Sequence, residues 1–121
     1  MMTDHDEERE RRVQDEAIVD AYGPEEQPLG WYYYLETHMT FPFRARCIYS
    51  HKTSPLKVGE MLQVVEMAEE DDCTNDMIVI IQFGNRTVGV PLAPLEPMVV
   101  DSTMSEAIKD WHYWVGRGHT F

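Results

Sequence analysis

The most informative shortage in this 121-residue chain is of positive charge. Ten Lys and Arg stand against twenty-two Asp and Glu, which gives a formal net charge of −12. Binding to a nucleic-acid backbone depends on cationic side chains that displace counterions, so the composition predicts no nucleic-acid partner. Metal cations and basic protein surfaces are the partners that such a charge favours. An acidic mimic of nucleic acid is an alternative that accounts for the net charge and for little else.

Cysteine and long apolar runs are also scarce. The two cysteines, Cys47 and Cys73, are too few for a disulfide framework, and the charged residues 4–12 do not resemble a signal peptide. We therefore expect a cytoplasmic protein. No apolar run approaches the roughly 20 residues that a transmembrane helix needs, so we expect no membrane partner.

Signatures of catalysis and of common metal sites are missing as well. No nucleophile elbow or Gly-rich phosphate loop surrounds Ser102, Ser105 or His112, which predicts that the protein is not an enzyme. No segment has the pattern of an EF-hand loop. A zinc site is a weak alternative, because the two cysteines lie far apart and His112 has no His or Cys three or four positions away.

Capping residues and apolar spacing predict three helices. The first covers residues 4–21, the second runs from Pro28 to Thr40 at the latest, and the third runs from Thr103 to Gly116. Thr103 with Glu106 forms a capping box in this interpretation.

Between the second and third helices, apolar and β-branched segments alternate with turn residues. Gly84 and Asn85 predict a two-residue hairpin, and the other strand-like segments are 43–49, 61–68, 77–81 and 87–92. The order of elements predicts an α+β fold, namely a small SH3-like antiparallel β-barrel with flanking helices at both ends.

Composition divides the chain near its first Gly-Pro pair. Residues 1–27 are predicted to form an N-terminal helical arm and linker, and residues 28–121 the β-barrel domain with its C-terminal helix. The arm has a narrow apolar stripe in its second half. It is a candidate for binding a protein partner or for self-association, and docking on its own domain is an equal alternative.

The loop at residues 69–76 is the candidate site. It places Glu69, Glu70, Asp71 and Asp72 in succession, and Asp76 follows four positions after Asp72. Neighbouring carboxylates repel each other by roughly 1 kcal/mol per pair at 4 Å in water and by more in a lower dielectric. A calcium ion would relieve this repulsion, since it takes six to eight oxygen ligands from such groups. The alternative is a solvated acidic hairpin tip that protects the flanking strands from aggregation.

Five short stretches carry a family resemblance: residues 31–36, 40–43, 54–60, 90–92 and 110–115. They resemble the calcium-binding protein family first known from cyanobacteria, in which a member buffers calcium during heterocyst differentiation. The resemblance implies a small, acidic, intracellular, non-EF-hand protein with acids in the loop at residues 69–76. Residues 1–26 have no counterpart in this resemblance, and Thr37 stands where an acidic neighbour of Glu36 is expected.

We therefore predict intracellular calcium binding, as a buffer or a sensor in calcium signalling, through the acidic loop. Glu36 and carbonyls around Thr40 lie at a predicted helix end, where the backbone dipole favours a cation, and they could complete the shell. The alternative function is a protein-interaction module whose acidic surface recruits a basic or proline-containing partner. The predicted metal ligands are Glu36, Thr40, Glu70, Asp71, Asp72, Asn75 and Asp76.

Overall fold

A computed structural model describes residues 7–19, 26–98 and 101–117. Its helices are α1 (Glu7–Arg12), which continues as one π-helical turn (Val13–Ala17), α2 (Gln27–His38) and α3 (Ser102–Gly116). Its strands are β1 (Phe43–Cys47), β2 (Met61–Met67), β3 (Ile78–Phe83), β4 (Arg86–Pro91) and β5 (Leu95–Pro97). A 3-10 turn (Glu70–Cys73) lies between β2 and β3. In this part of the chain, every helix is too short or too polar to cross a lipid bilayer.

The five strands form one antiparallel sheet in the order β4-β3-β2-β1-β5. This confirms the α+β class. The sheet is open, because β4 and β5 do not pair with each other among the described residues, and the closed SH3-like barrel is therefore not observed. β5 has only three residues, and all of them pair with β1. The chain passes from one edge to the other through residues 92–94 alone, so the sheet must curve strongly to bring its edges near each other.

The hairpin between β3 and β4 confirms the prediction from Gly84 and Asn85. Gly84 has a φ of +66°, a conformation that glycine adopts without steric cost. Phe83 and Arg86 then pair directly across the turn. The register of the neighbouring β2–β3 pair shifts at Val65, where β2 carries one extra residue.

Three tryptophans form the centre of the apolar core. Trp31 on α2 lies 5.1 Å from Trp111 and 5.5 Å from Trp114 on α3, measured between ring centroids. Aromatic pairs at such distances add to the free energy gained from burying the rings. Val13 and Ala17 of the π-turn belong to the same buried cluster. The described part of the N-terminal segment is therefore docked on its own domain, across the predicted boundary at residues 27 and 28.

Gly30 allows this close packing. A Cβ added at Gly30 would lie 2.5 Å from the carbonyl oxygen of Ala17, which is closer than real Cβ contacts. Because Gly30 has no side chain, the π-turn can lie directly against α2. Both ends of the predicted first helix, residues 4–6 and 20–21, fall outside the described residues.

The start of α3 differs from the prediction. Its N-cap is Asp101, whose Oδ1 accepts a hydrogen bond of 2.8 Å from the Met104 backbone N–H, so Thr103 lies inside the first turn. A carboxylate at this position satisfies an unpaired N–H group and complements the helix dipole. The predicted capping box of Thr103 and Glu106 is therefore wrong by two residues.

Candidate metal site

The acidic loop is anchored at its centre by Cys73. This residue is buried, and its Sγ lies 3.4 Å from the backbone N and 3.6 Å from the carbonyl oxygen of Ile78. Burial is the main cause that raises the pKa of the thiol, and the nearby Asp72 and Asp76 raise it further. A protonated, packed thiol holds the loop on the sheet and is a poor ligand for a soft metal.

The acids before Cys73 point outward from this anchor. Glu69, Glu70, Asp71 and Asp72 are all exposed, and Asn75 on the other side of Cys73 is exposed as well. None of these acids forms an ion pair within residues 7–19, 26–98 and 101–117, where the paired acids are Glu96 on β5 and two residues of α3. Ion pairs in the described residues therefore supply no counter-charge to Glu69, Glu70, Asp71 or Asp72.

Asp76 differs from the other loop acids. It is half-buried, its Oδ1 accepts a 2.8 Å hydrogen bond from the Met77 N–H, and burial raises the pKa of its carboxyl against the opposing charge of His51. Its charge also raises the pKa of Tyr49. The neighbours of Asp76 thus belong to the connection between β1 and β2.

Glu36 on α2 and Glu70 in the 3-10 turn both act on the same two tyrosines. α2 packs against the 3-10 turn, and the Tyr33 hydroxyl donates a 2.8 Å hydrogen bond to Glu70 Oε1. This bond is the main cause that raises the pKa of Tyr33, and the Glu36 charge adds to it. Burial raises the pKa of Tyr32 to about 12, and both carboxylates contribute. Two acids that are 34 positions apart in the sequence therefore act on the same pair of tyrosines.

Thr40 lies away from this pair. Its backbone N–H approaches Met104 Sδ at 3.4 Å, so its polar contact is with the first turn of α3. Nothing in the described residues brings a Thr40 oxygen to the acidic loop.

The donor chemistry fits a hard cation, although no complete cage is present. No three His, Cys, Asp or Glu side chains converge as a metal-binding group in the described ranges. Glu36, Glu70 and the adjacent exposed acids offer only oxygen atoms, and calcium accepts flexible sets of such ligands. A cation here would draw these side chains inward from solvent.

Sequence reasoning missed two residues that organise this side of the molecule. Tyr33 is predicted from the sequence only as part of the second helix, yet its hydroxyl joins α2 to the acidic loop. Asp110 is predicted only as part of the third helix, whereas it is the buried acceptor of a hydrogen-bond network. The signal for Asp110 was present, because it lies three residues after Ala107 and four before Trp114 on the apolar face of α3.

Comparison with protein families gives one match that covers most of the chain. The CcbP family, described as calcium binding, matches residues 11–115. The chain belongs to the CcbP family. The predicted resemblance is thus confirmed, and with it calcium as the ligand that family membership implies. The family is described by a binding activity and not by a reaction.

Two solved structures agree with this assignment. The crystal structure of Anabaena CcbP is 37% identical, with 97% of this chain and 96% of that chain covered and a TM-score of 0.83. A calcium-binding protein in its calcium-binding form is 36% identical, with both chains covered completely and a TM-score of 0.86. Residues 1–26 therefore also have a counterpart in a CcbP-like structure, contrary to the expectation from sequence. A search of curated proteins found no match, and no comparison supports the alternative of an interaction module.

Proposed function

We propose that this CcbP-family protein binds calcium where α2 meets the acidic loop. The observation that carries the proposal is that Tyr33 on α2 is hydrogen-bonded to Glu70 and that Glu36 and Glu70 both act on Tyr32 and Tyr33, beside loop acids that have no ion-pair partner in the described chain. Glu36, Glu70, Asp71 and Asp72 are the residues that we expect to hold the ion. Thr40, Asn75 and Asp76 stay predictions from the sequence.

Electrostatics provides the driving force. Carboxylates that are about 4 Å apart near a protein surface, at an effective dielectric near 20, repel each other by roughly 4 kcal/mol per pair. A divalent cation reverses the sign of this interaction. The bound ion would supply a positive centre that joins α2 to the loop, and the exposed acids would contribute the remaining oxygen ligands. Magnesium is expected to compete poorly, because it demands a near-octahedral shell that a flexible set of carboxylates does not impose.

The biological reading of this site is intracellular calcium buffering or sensing. The two free cysteines and the acidic composition support an intracellular location. A sensor must change a contact when calcium arrives, and the exposed bond between Tyr33 and Glu70 is a contact that a metal at Glu70 would change.

Isothermal calorimetry with calcium and magnesium at physiological salt tests the site. We expect the Glu70→Gln variant to bind calcium about tenfold more weakly or worse, which corresponds to about 1.4 kcal/mol. Glu66→Gln is the matched control, because Glu66 is an equally exposed glutamate on β2 outside the loop.

Three outcomes would contradict the proposal. Equal affinities of Glu70→Gln and Glu66→Gln would place the site elsewhere. Full binding by a variant that carries both Asp71→Asn and Asp72→Asn would exclude the turn acids. Equal, weak heats with calcium and magnesium would argue against a dedicated calcium site.

A further inference from the structure

A groove with a volume of about 590 Å³ lies between the π-turn and α2. Three apolar or aromatic residues on its wall are well exposed: Val19 at 56%, Leu29 at 41% and Tyr33 at 51%. Single exposed apolar residues are normal on a protein surface, but three that line one concave surface indicate a binding site.

The charge of the groove restricts what it can bind. Glu16 and Glu26 lie on its wall, and no Lys or Arg is among its described lining residues. His38 is also there, with its Nδ1 2.7 Å from the Tyr34 carbonyl oxygen. An apolar ligand that carries positive charge is therefore favoured. A second copy of this chain is disfavoured, because two molecules with a net charge of −12 repel each other.

Tyr33 lines the groove and also contacts the acidic loop. Its ring lines the groove, while its hydroxyl donates to Glu70 Oε1. From this shared residue we infer that the groove docks a protein partner through a segment combining apolar side chains with Lys or Arg, and that calcium at the acidic loop weakens this docking. The calcium dependence rests on the calcium site proposed above.

Two effects give the coupling its direction. A calcium ion that binds the Glu70 carboxylate competes with the Tyr33 hydroxyl for the same oxygens. Tyr33 on the groove wall then loses its hydrogen bond to the acidic loop. The ion also adds two positive charges beside a surface that attracts a basic segment. By linkage, the docked segment must weaken calcium binding by the same factor.

The test uses a synthetic peptide made of Leu and Lys at helical spacing, with a Leu and Glu peptide of the same pattern as the control. Fluorescence anisotropy of the labelled peptide is measured on the full-length protein, once with a chelator and once with saturating calcium. We expect the Leu and Lys peptide to bind in the chelator, and calcium to weaken it about fivefold or more. We expect no binding of the Leu and Glu peptide.

Variants localise the binding and separate the coupling from it. Leu29→Gln and Glu16→Gln should each weaken the peptide, whereas Val58→Gln and Glu66→Gln, which change exposed residues outside the groove, should not. Tyr33→Phe keeps the ring and removes the hydrogen bond to Glu70. It should weaken peptide binding in the chelator toward the affinity of the calcium-bound wild type, and it should reduce the further effect of calcium.

Each contrary result overturns the inference. Peptide binding that no groove variant weakens would show general attraction to an acidic surface. Self-association of the protein through Leu29, detected by sedimentation and abolished in Leu29→Gln, would show that the groove binds a second copy of the chain. If calorimetry shows calcium binding but the peptide affinity is indifferent to it, only this inference fails. If calcium itself does not bind, the proposed function fails as well.

Discussion

Two acidic regions of this molecule differ in their burial and in their ion pairs. Asp110 on α3 is completely buried, and its carboxylate accepts four hydrogen bonds of 2.6 to 2.8 Å, from Arg9, from Arg12 twice and from the Tyr34 hydroxyl. The loop acids from Glu69 to Asp72 are exposed, and none of them forms an ion pair in the described part of the chain.

The difference shows how the chain distributes its few basic residues. Burying a carboxylate is tolerable only when counter-charges and hydrogen bonds replace water, and two of the ten basic residues do this at Asp110. Asp110 in turn is the main reason that the pKa of Arg12 is raised. The acids from Glu69 to Asp72 have no such partner among the described residues, which is why we propose them as ligands of an ion from solution.

The largest expected effect comes from breaking the buried side of this comparison. Asp110→Asn preserves the shape of the side chain but removes the buried one of the two carboxylates that Arg9 and Arg12 share. Since these side chains are 19% and 26% exposed, we expect a loss near the lower end for a broken buried pair, roughly 3 kcal/mol of unfolding free energy.

Urea denaturation measures this loss, and Glu106→Gln is the matched control. Glu106 contacts the same two arginines, but its side chain is 46% exposed, so its loss should stay below about 1 kcal/mol. Similar losses in both variants would show that the buried Asp110 contributes no more to stability than the exposed Glu106.

The second prediction changes the loop. At calcium concentrations of about 100 times the dissociation constant, the native protein should gain about 2.7 kcal/mol of unfolding free energy. A variant with Asp71→Asn and Asp72→Asn should gain much less. In a chelator its stability should equal or slightly exceed that of the wild type, because mutual repulsion has been removed. A large loss in the chelator would mean that the loop acids are structural, as Asp110 is.

The same substitution at two adjacent tyrosines sharpens the comparison. Tyr34→Phe removes a donor to the buried Asp110, whereas Tyr33→Phe removes a donor to the exposed Glu70. In calcium-free urea denaturation we expect a loss of roughly 2 kcal/mol for Tyr34→Phe and no measurable loss for Tyr33→Phe, because the Tyr33 hydroxyl is exposed to water. The reverse order would contradict the assignment of the two networks.

The smallest expected effect concerns a base on the same helix. Burial lowers the pKa of His112, against the opposing carbonyls of Leu95 and Leu92 and the charge of Glu96. Below about pH 6.5 the unfolded chain therefore binds a proton more readily than the folded chain. The free energy of unfolding then decreases as the pH is lowered. Between about pH 7.5 and about pH 5.5 the wild type should lose about 1 kcal/mol more than His112→Gln.

Denaturation at the two pH values checks this prediction. Because other groups titrate in the same range, the difference between wild type and His112→Gln is the quantity to compare. Identical slopes for the two proteins would mean that His112 is protonated as easily in the folded state as in the unfolded chain.

Local features of the fold could be predicted, and features that depend on distant contacts could not. The Gly84-Asn85 hairpin and the end of α3 at Gly116 follow from residues beside them. The open sheet does not, because closure depends on whether β4 and β5 meet in space. The prediction placed the start of α3 at Thr103, because the capping-box pattern of Thr103 and Glu106 does not show that Asp101, two positions earlier, accepts the bond from the N–H of Met104.

The candidate site divides in the same way. The acidic loop could be inferred from charge spacing, and the role of Glu36 beside it stays a prediction from the dipole at a helix end. The role of Tyr33 could not, since an aromatic run on a helix does not reveal which hydroxyl reaches the loop. The partners of Asp110 were equally hidden, because Arg9 and Arg12 lie about a hundred positions away.

That separation has a consequence for biosynthesis. The hydrogen bonds between the first helix and Asp110 join residues 98 and 101 positions apart, so they cannot form until α3 has emerged from the ribosome. Until then Arg9 and Arg12 lack the buried carboxylate that they bind. Released chains truncated before α3 should therefore be cleaved readily by protease near Arg9 and Arg12, and chains that include α3 should resist cleavage there.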